Sequence, residues 1–301
     1  MKRLIIIYNP HSSQYIHVKD EVLNHIGDIK DYMVGKFTIK KIPFEENTKL
    51  FKKVISDGDT VLAAGGDATA AVAANAILES GKDVTLGVLP YGNFNDLART
   101  LGTMNFEDIF TKTTQKKLYP LDIIVDGKHW RYATCYLTIG MTAEAVELFD
   151  DPKIRKNLQK GHRSSWRSYF YLVKWYFKNR HKKDFIPPYT LNGHETPTKV
   201  SDYCALSGRS MCRVMKGGDD YLKPKMFRSY NCRLTSFWRI SKLMIISIIK
   251  RTPGYETTGD LLEFISPATV ELQAEGEYKV FKDIKTIEVK KDQKCLKVIH
   301  G

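Results

Sequence analysis

The stretch Thr60-Val61-Leu62-Ala63-Ala64-Gly65-Gly66-Asp67-Ala68-Thr69 decides the fold class. A short apolar run bounded by glycines reads as a buried strand, and the helical pattern that begins after Asp67 reads as its crossover helix. Glycine lets a backbone approach a phosphate, a helix N-terminus presents unpaired N–H groups and positive dipole, and Thr69 adds a hydroxyl. Asp67 would repel a phosphate unless a cation lay between them, so a Mg²⁺ held through water is its natural partner. Taken alone, Gly-Gly-Asp reads equally well as an ordinary strand-to-helix turn.

The same rhythm extends to both sides. Apolar runs at Leu4–Tyr8, Lys36–Ile42 and Val84–Leu89 alternate with helical patterns near Gln14–Ile29 and Thr48–Ser56, as in a parallel sheet with crossover helices. Beyond Leu121 the pattern changes to a hairpin, Ile123–Val125 and Trp130–Leu137 around Asp126-Gly127, then helical stretches, then short β runs such as Thr269–Gln273 and Thr286–Lys290. With 301 residues the chain can build two cores. The expected architecture is an α/β N-terminal domain over residues 1–122, with a parallel sheet and crossover helices, and a mainly β C-terminal domain over 123–301 with helical insertions. A ligand cleft is expected between them.

Two further strands end in polar turns. Leu86–Leu89 runs into Pro90-Tyr91-Gly92-Asn93-Phe94-Asn95-Asp96-Leu97-Ala98-Arg99, and Leu4–Tyr8 runs into Asn9-Pro10-His11-Ser12-Ser13. Helix capping accounts for some of these side chains, but three polar strand ends along one sheet edge exceed what caps require. Near the C-terminus, Val270–Ala274 enters Glu275-Gly276-Glu277, which by itself is a hairpin turn with two acids.

The net charge of +13 is concentrated: Asp151–Pro253 carries 23 Lys and Arg against six acids. Such a field suits an anionic partner, either lipid or nucleic acid. Within it, Trp166, Tyr169, Phe170, Val173, Tyr176 and Phe177 share one helical stripe, and Arg167, Lys174 and Lys178 share another face. Basic residues beside aromatics suit a membrane interface, which makes Trp166, Arg167, Lys174 and Lys178 the candidate docking residues. Such a stripe commonly packs on its own domain instead. A second helical stretch is expected over Phe237–Ile249. Its Leu243–Ile249 run is too short to span a membrane, and Leu4–Ile7 is too short for a signal-peptide core. The expectation is a cytoplasmic protein with peripheral membrane association. Five cysteines without a CxxC spacing read as reduced thiols, and the absence of zinc spacing or an RNA-recognition signature speaks against nucleic acid.

Taken together, Asn9–Ser13, Gly65–Thr69, Pro90–Arg99 and Glu275–Glu277 resemble, in order, four motifs of the diacylglycerol kinase catalytic superfamily, which includes bacterial lipid kinases, sphingosine kinases and ceramide kinases. The resemblance covers nearly the whole chain. It implies an ATP- and Mg²⁺-dependent lipid kinase that phosphorylates a hydroxyl of a membrane lipid at an anionic surface. Carried over by motif, the nucleotide-binding residues would be Asn9, Ser12, Gly65, Gly66, Asp67, Thr69, Gly92, Asn93, Asn95 and Glu277, with Asp67, Asp96 and Asp122 around Mg²⁺. Glu275 would inherit the role of general base, with Asp67 as the second catalytic acid. By spacing alone, Asp122 is an ordinary junction acid after a strand-like Lys117–Leu121, and Glu275 a solvated hairpin acid.

The chain departs from the family pattern at Ser13, where the first motif has glycine, at Ala68, where the second has glycine, at Asn93, where the third has threonine, and at Glu275, where the last has aspartate. If position 68 needs φ > 0, its methyl strains the loop. A glutamate is one methylene longer than the family's acid, and a shift of about 1 Å in a catalytic group can cost ~10²-fold. The run Leu222–Asn231 also lacks the acids of the family's structural Mg²⁺ site. These departures leave open a catalytically degenerate protein that binds nucleotide or lipid. A soluble nicotinamide-nucleotide kinase shares Gly-Gly-Asp but explains neither Pro90–Arg99 nor the basic aromatic third. A homodimer is a possible assembly.

Overall fold

Leu4, Ile5, Ile6 and Ile7 are all buried to 1% exposure or less, as a strand covered on both faces of a parallel sheet must be. The computed structural model describes residues 2–12, 14–102, 104–111, 114–148, 151, 153–154, 164–179, 186–196, 200–211, 215–232, 238, 242, 245–246, 249, 254–291 and 294–301. Two compact units result, one of residues 1–120 with 293–301 and the other of 121–292.

In the first unit, β1 (Lys2–Tyr8), β2 (Tyr32–Thr38), β3 (Thr60–Gly65), β4 (Thr85–Pro90) and β5 (Thr114–Leu118) join the C-terminal strand Leu296–His300 in one sheet. Its order is β2-β1-β3-β4-C-terminal strand-β5, parallel except for the last pair. One face packs α1 (Tyr15–Glu21) and α5 (Asp108–Thr111) over Leu4, Ile6, Leu62 and Leu89, together with Val18, Met104 and Ile109. Next to α2 (Phe44–Val54) lies α3 (Asp67–Ser80), whose alanine-rich sequence is buried almost all round and ends at Gly81 in the left-handed conformation, φ 68°.

Three features of the structure depart from the sequence pattern. The helix expected over Gln14–Ile29 breaks into α1 and a 3₁₀ segment, Leu23–Asp28, which contains Gly27. The strand expected at Lys36–Ile42 lies earlier, because Asn47 takes the Lys40 backbone N–H and C=O (3.0 and 3.1 Å) and Pro43 opens α2 ahead of Thr48. The first domain does not end at 122, nor does the second run to 301. Leu296–His300 fills the sheet between β4 and β5, burying Leu296 and Val298 completely, and Pro120 separates β5 from the next strand.

The second unit is a mainly antiparallel sheet. Its main path runs Tyr255–Thr257, Phe227–Cys232, Asp202–Leu206, β8 (Tyr136–Gly140), Gly259–Ala274, Glu277–Lys291, β6 (Leu121–Val125) and β7 (Lys128–Ala133). Its core is built from residues such as Leu121, Ile139, Tyr203, Phe227, Leu262 and Leu272. The two expected short β runs near the C-terminus are parts of strands 16 and 15 residues long, with register shifts between Glu263 and Val270. Asp126 (φ 46°) and Gly127 (φ 73°) form the expected hairpin turn. The strand expected over Trp130–Leu137 is divided at Thr134-Cys135, a pair with its own partners. α6 (Met141–Glu147) follows β8, and a helix occupies Ser164–Asn179.

Candidate functional site

In the first unit, the polar strand ends converge as the sequence implies. Tyr91 N–H donates to Gly65 C=O (3.1 Å), and Ser12 Oγ lies 3.5 Å from Tyr91 C=O, so the turns after β1, β3 and β4 are tied together. Asn9 closes the first turn, accepting the His11 N–H at Oδ1 (2.9 Å). Ser13 lies outside the described residues.

Asp67 does more than open α3. Its Oδ1 accepts the N–H groups of Asp96 (2.6 Å) and Leu97 (3.4 Å), and its Oδ2 that of Asn95 (2.9 Å), so this one carboxylate caps α4 (Asp96–Thr100). Asn95, at φ 58°, accepts the Gly92 N–H at 2.6 Å and donates to Pro90 C=O (3.0 Å) and Gly92 C=O (2.8 Å). It therefore braces its own loop. Asp96 is buried.

The glycines make the convergence sterically feasible. A Cβ on Gly66 would meet Gly92 Cα at 3.2 Å, and one on Gly92 would overlap Gly66 Cα and approach Asn95 Oδ1 to 2.8 Å. Thr69 is buried and lies over Gly65, where a methyl would meet its Cβ at 2.7 Å. Ala68 is the second residue of α3 and is not at positive φ, so the loss of glycine there brings no strain. The N-cap of α3 is Gly66, which has no side chain to cap the helix, and the helix begins at the converged turns. That feature fits a phosphate. Asn93 sits half-buried in the same turn.

Among the described residues, no group of three or more His, Cys, Asp or Glu is arranged to hold a metal ion. Asp67 already accepts three backbone N–H groups, and Asp122 is bonded to His129 Nδ1 at 2.5 Å as the second residue of β6, not as a junction after a strand ending at 121.

In the second unit, Glu275 (φ 53°) and Gly276 (φ 86°) form the two-residue turn between Ala274 and Glu277, with the positive φ pair of a type I′ hairpin. A glutamate in the left-handed region costs roughly 1–2 kcal/mol, so the surroundings must hold it there. They do: Thr134 Oγ1 and Cys135 N–H (2.5 Å) both donate to Glu275 Oε1. The Gln273 carbonyl oxygen accepts the Glu275 and Gly276 N–H groups at 3.3 and 2.6 Å, while its amide nitrogen donates to Thr138 Oγ1 at 2.9 Å. Glu275 is buried, not the solvated hairpin acid of the bare sequence reading, and burial pushes its carboxyl up to about 7 against the lowering effect of Thr134, Cys135 and the Arg131 charge. Glu277 begins the next strand, half-buried. Thr134, Cys135 and Gln273 carry no sequence motif; Gln273 is a chain neighbour of Glu275, whereas only the fold brings Thr134 and Cys135 to it.

The Ser164–Asn179 helix departs from the expected packing. Phe170, Val173 and Phe177 of the aromatic stripe are 68, 43 and 42% exposed, Lys174 and Lys178 are exposed beside them, and Tyr171, Trp175 and Asn179 are half-buried. The side chains of Trp166 and Arg167 lie outside the described residues. Trp238, Ile245 and Ile249 are likewise exposed, at 78, 57 and 68%, with Lys242 exposed among them, in the stretch expected to be the second helix. No described helix is long and apolar enough to cross a membrane.

Comparison with known proteins agrees with this arrangement. Residues 3–125 match the diacylglycerol kinase catalytic domain. A diacylglycerol kinase structure from Bacillus anthracis str. Sterne superposes on the whole chain with a TM-score of 0.70 at 15% identity, covering 97% of that protein. A second solved structure from the same organism gives 0.68 at 15% identity, with 98% of that chain covered. At this identity the likeness establishes the fold. No curated relative matches the sequence. Within the diacylglycerol kinase domain match lie all three converged turns and Asp122. Glu275 and the basic helix lie outside it.

Proposed function

We propose that the protein is an ATP-dependent lipid kinase that transfers the γ-phosphoryl group to a hydroxyl of a membrane lipid. Glu275 carries this reading: a carboxyl poised near neutrality, fixed in a turn that glutamate rarely adopts, suits a group that accepts a proton as phosphoryl transfer proceeds. In the first unit, the N-terminus of α3 and the turns around Gly66, Gly92 and Asn93 would hold the phosphates. ATP would supply the phosphoryl group. Of Ala68, Asn93 and Glu275, the departures that favour a degenerate binding protein, Ala68 is helical and not at positive φ, so it puts no strain on the loop.

The lipid would be met at an anionic bilayer. Phe170, Val173 and Phe177 form an exposed apolar arc bordered by Lys174 and Lys178, a match to acyl chains on one side and anionic headgroups on the other. The test is transfer of labelled γ-phosphate from ATP to a lipid panel in mixed micelles. A labelled lipid supports the reading, and ATP binding without transfer to any lipid refutes it.

A further inference from the structure

The clamp around Glu275 engages the end of a side chain one methylene longer than aspartate. Both side-chain and backbone donors, Thr134 Oγ1 and Cys135 N–H, reach the same oxygen, Oε1. Gln273 fixes the turn from the other side through the Glu275 and Gly276 N–H groups. Thr134 and Thr138 are fully buried, and Gln273 is 1% exposed, so water does not compete for these bonds.

We propose that Thr134 is the positioning residue of Glu275, anchoring Oε1 with the Cys135 amide and presenting Oε2 to the acceptor hydroxyl. The inference rests on the lipid-kinase reading for the identity of that hydroxyl. In the step it serves, the acceptor O–H bond breaks and its proton passes to Oε2. The acceptor oxygen bonds the γ-phosphorus of ATP, and the bond from that phosphorus to the β,γ-bridging oxygen breaks with its electron pair leaving on ADP. An aspartate at position 275 would fall short of Thr134, whereas the glutamate reaches it. The charged and titratable groups near the carboxylate are Arg131 on β7, which favours its ionised form, the Cys135 thiol and Glu277 two residues along the hairpin.

The test compares Thr134→Val, Thr134→Ala and Thr134→Ser. Loss of the hydroxyl in Val or Ala should lower kcat by ~10²-fold with little change in KM for ATP, as expected for a base displaced by about 1 Å. The acid limb of the kcat profile should move to higher pH, because a donor to the ionised form is gone, and Ser should restore both. Wild-type kcat and pH profile in both Val and Ala would overturn the proposal. Carboxyl NMR titration of Glu275 in the same folded variants separates this inference from the kinase reading. An upward shift in Val and Ala, reversed in Ser, supports the clamp even if no lipid is phosphorylated, and an unmoved titration overturns it even in an active kinase.

Discussion

Gly92→Ala is the sharpest perturbation of the converged turns. The added methyl would overlap Gly66 Cα and stand 2.8 Å from Asn95 Oδ1. Neither neighbour can swing aside, since Gly66 is backbone and the Asn95 amide is held by Gly92 N–H, Gly92 C=O and Pro90 C=O. Ordinary carbon contacts lie at ~3.5–4.0 Å, so the two turns must part by roughly 1 Å. Overpacking of this kind costs about 1–3 kcal/mol, which should lower Tm by several degrees. The same displacement at the phosphate-facing turn should reduce phosphoryl transfer by ~10²-fold. Gly27→Ala is the control, because a methyl there has no neighbour within 4 Å. Transfer of labelled γ-phosphate from ATP and thermal melting read these two effects, and calorimetric titration with a non-hydrolysable ATP analogue reads nucleotide affinity. Wild-type affinity and Tm in Gly92→Ala would refute the claim that close approach of these two turns shapes a nucleotide site.

Asp67→Ala removes the acceptor for three N–H groups at the start of α4, so it should cost about 0.5–2 kcal/mol in urea unfolding, with Asp67→Asn costing less; an unchanged midpoint in Asp67→Ala would show that the cap is dispensable. Glu275 has a carboxyl pKa raised from 4.5 to about 7 by burial, so its contribution to stability is fully present below about 4.5 and is lost as pH rises through 7. Glu275→Gln should therefore gain stability relative to wild type between pH 5 and pH 8, by on the order of 3 kcal/mol at most, and a pH-independent difference in urea midpoints would contradict that. Lys174→Glu with Lys178→Glu should weaken binding to phosphatidylglycerol vesicles at low salt by roughly 30-fold, at about 1 kcal/mol per lysine. Phe170→Ser with Phe177→Ser should weaken it further at high salt, and undiminished sedimentation with vesicles would dismiss the docking arc.

The sheet of the first unit was legible because fully buried parallel strands read as unbroken apolar runs, as at Leu4–Ile7 and Val61–Ala64, each ending in a polar turn. The return of Leu296–His300 to that sheet was not, since a strand's choice of sheet depends on which edge is vacant and not on its own alternation. Likewise, an Asn47 side chain that occupies the Lys40 backbone displaces β2 by several residues without leaving a periodic signal. Motif order located Glu275 and the three turns. The partners Thr134 and Cys135 lie far from Glu275 in sequence, and only the antiparallel pairing of β8 with Gly259–Ala274 brings them close. The exposed arc of the basic helix was also hidden, because an amphipathic stripe shows that two faces differ and not which one meets solvent.

The central claim is that Glu275 serves phosphoryl transfer to a lipid hydroxyl. Its most direct test is the rate of ³²P transfer from γ-labelled ATP to a lipid panel in mixed micelles, measured side by side for the wild type and Glu275→Gln, with equal ATP-analogue affinity confirmed for both. The account predicts a labelled lipid in the wild type and a loss of at least ~10²-fold in the variant at unchanged nucleotide affinity. Equal rates in the two proteins would contradict it.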